Sequence, residues 1–151
     1  FNNDIPINCK MATIRDVIKF IVTDIDGMGI NDGFIRNLGV PGILELCNDW
    51  KFCELTNDEF MRLAIPDGTY TLIKDKKLDS TEGSSKATII KYLEDLRAGN
   101  ELSPLIIRNQ LMGEPEHFSF YIEDGAHRAI AYKIYLDECT YKSVRAYIGR
   151  R

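Results

Sequence analysis

Residues 120–135, FYIEDGAHRAIAYKIY, bring Asp124, Gly125, His127 and Arg128 into five consecutive positions where the hydrophobic period changes. Phe118, Phe120 and Ile122 alternate with Ser119, Tyr121 and Glu123, the period of a half-buried strand. From Ala126 onward Ala126, Ala129, Ile130 and Ile134 recur at helical spacing, so a helix is expected to begin next to Gly125. A strand that turns sharply into a helix directs the first-turn N–H groups and the positive end of the helix dipole at residues 125–128. A phosphate or carboxylate is stabilised there. Arg128 would add a planar, bidentate clamp. The plain alternative is a turn capped by Asp124, with His127 and Arg128 in solvent.

The elements that would position this joint fall in the second half of the chain. Tyr70, Leu72 and Lys74 alternate with Thr71 and Ile73 as a strand, followed by the polar connector KDKKLDSTEGSS. Ile89, Ile90, Leu93 and Leu96 form one stripe of a helix from about 86 to 98, stopped by Gly99-Asn100. Leu105-Ile106-Ile107 reads as a buried strand, residues 118–122 as the next strand, 125–137 as a helix, and Val144, Ala146 and Ile148 as a last strand. The order is β-α-β-β-α-β.

The first half reads as helical. Ile14, Val17, Ile18, Ile21, Val22 and Ile25 keep helical spacing, with Thr13 as N-cap and Gly27 as stop. Short helices are expected around Phe34, Ile35 and Leu38, around Ile43 to Cys47, and after the capping box Thr56-Asn57-Asp58-Glu59. Pro66-Asp67-Gly68 then breaks the pattern. The expectation is a helical segment over 1–68 and a separate α+β core over 69–151.

Within the first half, FIVTDIDGMGI at 20–30 resembles the first motif of haloacid-dehalogenase-type phosphatases, which would make Asp24 a nucleophile and Asp26 a general acid. That motif needs an apolar strand, whereas the residues before Asp24 keep helical period. Met28 also stands where that family has Thr. A helix end with solvated aspartates is expected instead.

At 151 residues and 44% hydrophobic content the chain can bury a core of its own. No stretch approaches the roughly 18 apolar residues of a membrane span, and the signal-peptide order is missing at the N-terminus. Residues 1–68 carry 6 Lys and Arg against 11 Asp and Glu, net −5; residues 69–151 carry 13 against 12, net +1. Neither half has the dense basic face that neutralises many phosphates, which disfavours nucleic acid as a partner. Cysteines at 9, 47, 53 and 139 form no zinc-ligand spacing, so no metal site of that kind is expected. Reduced thiols and a cytoplasmic location are the simpler expectation. Two disulfides are arithmetically open and would suit a secreted fragment. The start at Phe1 rather than Met suggests a processed form or a piece of a larger protein.

Motif order connects these readings. Leu78 and Glu82, then Leu102-Ser103-Pro104-Leu105-Ile106-Ile107-Arg108, then Asp124-Gly125-Ala126-His127-Arg128 with Ala129 and Ala131 together resemble the ParB/sulfiredoxin superfamily over about residues 69–149. Sulfiredoxin-like members carry a catalytic Cys where this chain has Ala126, and partitioning proteins carry a Gly-Glu-Arg-Arg version of the motif. The wording is nearest to free-serine-kinase-type members with Asp-Gly-His-His-Arg. That resemblance implies an ATP- or ADP-binding phosphotransferase or nucleotide hydrolase acting on a small-molecule acceptor with Mg2+. Glu82 would be the general base and His127 a catalytic group. Asp124, Gly125, Ala126, His127 and Arg128 would hold the phosphates together with Arg108. The alternative is a nucleic-acid-binding or nuclease-like domain, including a toxin effector domain of a larger protein.

Overall fold

The computed structural model describes residues 6–22, 47–63, 83–109, 120–138 and 143–150. In chain order the elements are β1 (Asn8–Ala12), α1 (Ile14–Val22), β2 (Asp49–Leu55), α2 (Asn57–Met61), α3 (Gly83–Arg97), β3 (Leu105–Asn109), β4 (Phe120–Asp124), α4 (Ala126–Glu138) and β5 (Val144–Arg150). The fold is α+β. Five described strands form one mixed sheet in the order β1-β2-β5-β3-β4. β3 runs parallel to β5, and the other neighbours are antiparallel.

Local chemistry explains most element ends. The N–H of Thr13 donates to Asp16 Oδ2 (2.9 Å) and Thr13 Oγ1 accepts from the N–H of Asp16 (3.2 Å), a reciprocal cap that opens α1. Thr56 and Glu59 make the capping box of α2, with Thr56 N–H to Glu59 Oε1 at 2.8 Å and Glu59 N–H to Thr56 Oγ1 at 3.1 Å. α3 ends where Gly99 adopts φ 87°, and the N–H groups of Gly99 and Asn100 turn back onto the carbonyls of Leu96 and Asp95.

Each face of the sheet has its own packing. Cys53, Leu55, Leu105, Ile107, Phe120, Val144, Ala146 and Ile148 point to the face covered by α2, α3 and α4, where Phe60, Ile89, Leu96, Ile130 and Tyr132 complete the main core. On the other face Trp50 and Ile106 meet Val17 of α1 and Cys47 in a smaller cluster edged by Phe20 and Tyr147.

The expectation of an all-helical stretch before residue 68 is corrected by β1 and β2. β2 carries Trp50 and Phe52 toward one face and Cys53 and Leu55 toward the other, so its apolar residues show no single alternation. An inner strand covered on both sides loses the period-two signal. β2 pairs with β5 along its whole length, from Asp49 opposite Arg150 to Leu55 opposite Val144. Cys53, Leu55, Phe60 and Leu63 lie in the same core as α3 and α4. The division at residue 68 therefore does not separate two cores. The strand expected at 70–74, the helix expected around 34–38, the helix expected at 43–47 except for Cys47, which is described and not helical, and Asp24 and Asp26 lie outside the described residues.

Cys9 and Cys53 form a disulfide between directly opposed residues of β1 and β2. This corrects the expectation of reduced thiols at these two positions, and register is the reason. Antiparallel pairing sets the two residues face to face, a proximity that a separation of 44 residues in sequence does not disclose.

Candidate functional site

β4 delivers Asp124 to the sheet's outer edge, and α4 starts two residues later at Ala126. Between them Gly125 adopts φ 98°. The space that a Cβ would need there is already filled, with Leu105 Cδ2 at 2.7 Å and Arg128 Nη2 and Nε at 2.9 and 3.2 Å. Only glycine permits both the left-handed backbone and this close approach. The first helical hydrogen bond runs from the Ala129 N–H to the Gly125 carbonyl at 2.8 Å. The N–H groups of the preceding turn point out of the positive end of a 13-residue helix, as an anion site requires.

Arg128 does not extend into solvent from this turn. It is 3% exposed and reaches Asp124 one turn back, Nη2 to Oδ2 at 3.3 Å. Its guanidinium lies beneath Gly125 and supports the turn from inside. The reading of Arg128 as a solvated residue gives way to a buried side chain held against Asp124. The burial follows from α4 itself: Arg128, Ala129, Ile130, Ala131 and Tyr132 are five buried residues in a row, so the start of the helix is enclosed on more than one side. Tyr132, a turn beyond Arg128, has its hydroxyl pKa pushed up to about 12 by burial and stays neutral.

His127 is the exposed member of the motif. Desolvation by neighbouring atoms, followed by repulsion from the Arg128 guanidinium, holds its imidazole below the ordinary value of 6.5. At neutral pH His127 is an uncharged ring with one N–H to donate. It faces solvent beside the helix terminus.

Arg108 is not gathered with the joint. Residues 105 and 107 of β3 belong to the main core and residue 106 to the opposite cluster, so strand alternation puts Arg108 on the α1 side of the sheet. There it forms an ion pair with Glu123 and lies over the Tyr121 ring, 5.2 Å from its centroid. The sequence places Tyr121 and Glu123 on the outward side of their strand, but gives no sign that Arg108 meets them. Their contact depends on the β3–β4 register, Arg108 opposite Tyr121, and on the irregularity between Ile106 and Ile107.

Glu82 and Leu78 lie outside the described residues; Gly83, the next residue after Glu82, opens α3. Among the described residues no three His, Cys, Asp or Glu side chains assemble as a metal-binding group. No described helix is long and apolar enough to cross a membrane. No protein-family model, no curated protein and no solved structure matches the chain.

Proposed function

We propose that the chain binds a nucleotide, ATP or ADP, through its phosphates at the joint formed by residues 124–128, and transfers or hydrolyses a phosphoryl group. The observation that carries this reading is the entry into α4: a strand ends at Asp124, Gly125 turns at φ 98°, and the helix terminus opens beside an exposed, neutral His127. In this arrangement the backbone N–H groups and the helix dipole hold the anion. His127 donates its N–H to a phosphate oxygen. Arg128 acts from below by keeping Gly125 in place, and Arg108 is engaged by Glu123 on the α1 side of the sheet. The motif order that resembles the ParB/sulfiredoxin superfamily supports the same reading and supplies Glu82 as the base that would deprotonate the acceptor hydroxyl.

The nearest described carboxylate, Asp124, is engaged by Arg128, so the described residues do not fit a Mg2+ site.

Thermal unfolding across a panel of ATP, ADP, AMP and pyrophosphate tests the proposal, because a ligand held only by the folded state raises the melting temperature. The gain is about 2.7 kcal/mol at a hundredfold excess over Kd. The expected result is stabilisation that increases with phosphate number and weakens in His127→Ala. Equal melting curves with and without every member of the panel would overturn it.

The Cys9–Cys53 disulfide favours a second setting for the same joint, an effector domain that works in an oxidising compartment. Turnover of RNA or DNA but of no free nucleotide would select this alternative.

A further inference from the structure

We infer that the Cys9–Cys53 disulfide is a redox-operated latch for the edge strand β1, independent of whatever binds at the joint. β1 is five residues long and, among the described residues, lies at the end of the sheet and pairs only with β2. Its side chains contribute little to hold it. Cys9 packs against the main core and Ala12 against the smaller cluster, whereas Met11 is 75% exposed and Ile7, just before the strand, is 91% exposed. Among the described residues, Pro6 is buried just before the strand, and the other attachments are peripheral: the Ile7 N–H to Glu59 Oε2 (3.0 Å), the Lys10 ammonium over the Phe52 ring, and Lys51 Nζ to Met11 Sδ (3.5 Å). A short strand with one neighbour and two partly buried side chains opens easily unless something else secures it. The disulfide lies between Asn8 and Lys10 and supplies that security.

The two sulfurs differ in access. Cys53 is fully buried, whereas Cys9 is partly exposed, so an incoming thiolate meets Cys9 Sγ. Attack by one thiolate of a dithiol reductant forms a mixed disulfide on Cys9 and expels Cys53 as a thiolate, which takes up a proton. The second thiol of the reductant then closes on the first, releasing the Cys9 thiol and leaving the reductant as its disulfide. Two electrons pass to the protein. Residues 7–11 then leave β2, which becomes the edge of the described sheet, while β2 stays joined to β5 over seven register pairs. Val17, buried against Trp50 and Ile106, keeps α1 in place, so the opening stops near Thr13.

Amide hydrogen exchange on the full chain, purified without reductant and compared before and after dithiothreitol, tests the latch. Intact mass should increase by two hydrogens for this bond, and peptides containing Cys9 and Cys53 should separate only after reduction. Protection of amides 8–12 should fall at least tenfold, with α1, β3 and β5 unchanged. Cys9→Ser should reproduce the opened state without reductant. Four results would each overturn the inference: thiols at both positions in the untreated protein, a bond that dithiothreitol breaks only in denaturant, unchanged protection of 8–12 once the bond is broken, or equal loss of protection across the whole sheet.

Discussion

The two outer strands of the sheet, β1 and β4, meet the same physical problem in opposite ways. Both have a neighbour on one side only in the described sheet. β4 is secured by what it buries. Phe120 enters the main core, Glu123 pairs with Arg108, and Asp124 leads into a helix whose Arg128 is buried beneath the turn. β1 buries little and is secured by a covalent bond. An edge held by packing is rigid and can present a preorganised site. An edge held by one reducible bond can be released without dissolving the core. Under the proposed reading, binding falls at the β4 end of the sheet and adjustability at the β1 end.

The largest expected effect comes from removing the strut at the β4 end. Arg128→Ala leaves Asp124 without its buried partner and leaves a void beneath Gly125, at a cost of about 3–5 kcal/mol. Urea unfolding should show this as a lower midpoint. A loss below about 1 kcal/mol would mean that Arg128 contributes no more than a surface ion pair. At the β1 end, Cys9→Ser removes a cross-link spanning 44 residues, and the chain-entropy account gives a loss of about 2–4 kcal/mol. The same urea experiment under non-reducing conditions measures it, and in reducing buffer the variant and the native chain should converge.

How much of this was legible beforehand differs between the same two ends. Near β4 the periods of 118–122 and 126–134 locate the strand, the turn and the helix to within about two residues, because half-buried elements express their period in the sequence. The stripe of α3 and its stop at Gly99-Asn100, and the capping box at Thr56, are legible for the same reason: each is a local signal. The roles of Arg128 and Arg108 were not legible. An arginine reads as exposed in any sequence pattern, and only tertiary packing places Arg128 beneath Gly125 and turns Arg108 toward Glu123. β1 and β2 were missed because β1 is too exposed to alternate clearly and β2 is buried on both faces. With the strands unseen, the Cys9–Cys53 pair could not be told from the other pairings of four cysteines.

Two smaller effects sharpen the comparison. Lys10→Ala removes the ammonium over the Phe52 ring, an exposed contact worth about 0.5 kcal/mol. Its effect should be visible only after reduction, when β1 depends on such contacts. At the other end, the lowered pKa of His127 makes stability depend on pH. The folded chain binds this proton less readily than the unfolded chain, so the contribution is full above 6.5 and is lost as pH falls through 6.5 toward the lower folded value. Melting temperature measured from pH 7.5 to 5 should fall less in His127→Ala than in the native chain. Identical pH profiles would mean that the environment of His127 is the same in the folded and unfolded states.

The central claim is that the joint at residues 124–128 holds phosphate through its backbone. Amide chemical shifts of the 15N-labelled chain, followed while pyrophosphate and then ATP are added, test it most directly. The predicted result is saturable shifts that are largest at Gly125, Ala126 and His127, small at Arg108, and reproduced at the same residues by both ligands. Saturable shifts centred on Arg108 and Tyr121 with the joint unmoved, or no saturable shift at residues 124–128 with either ligand, would contradict it.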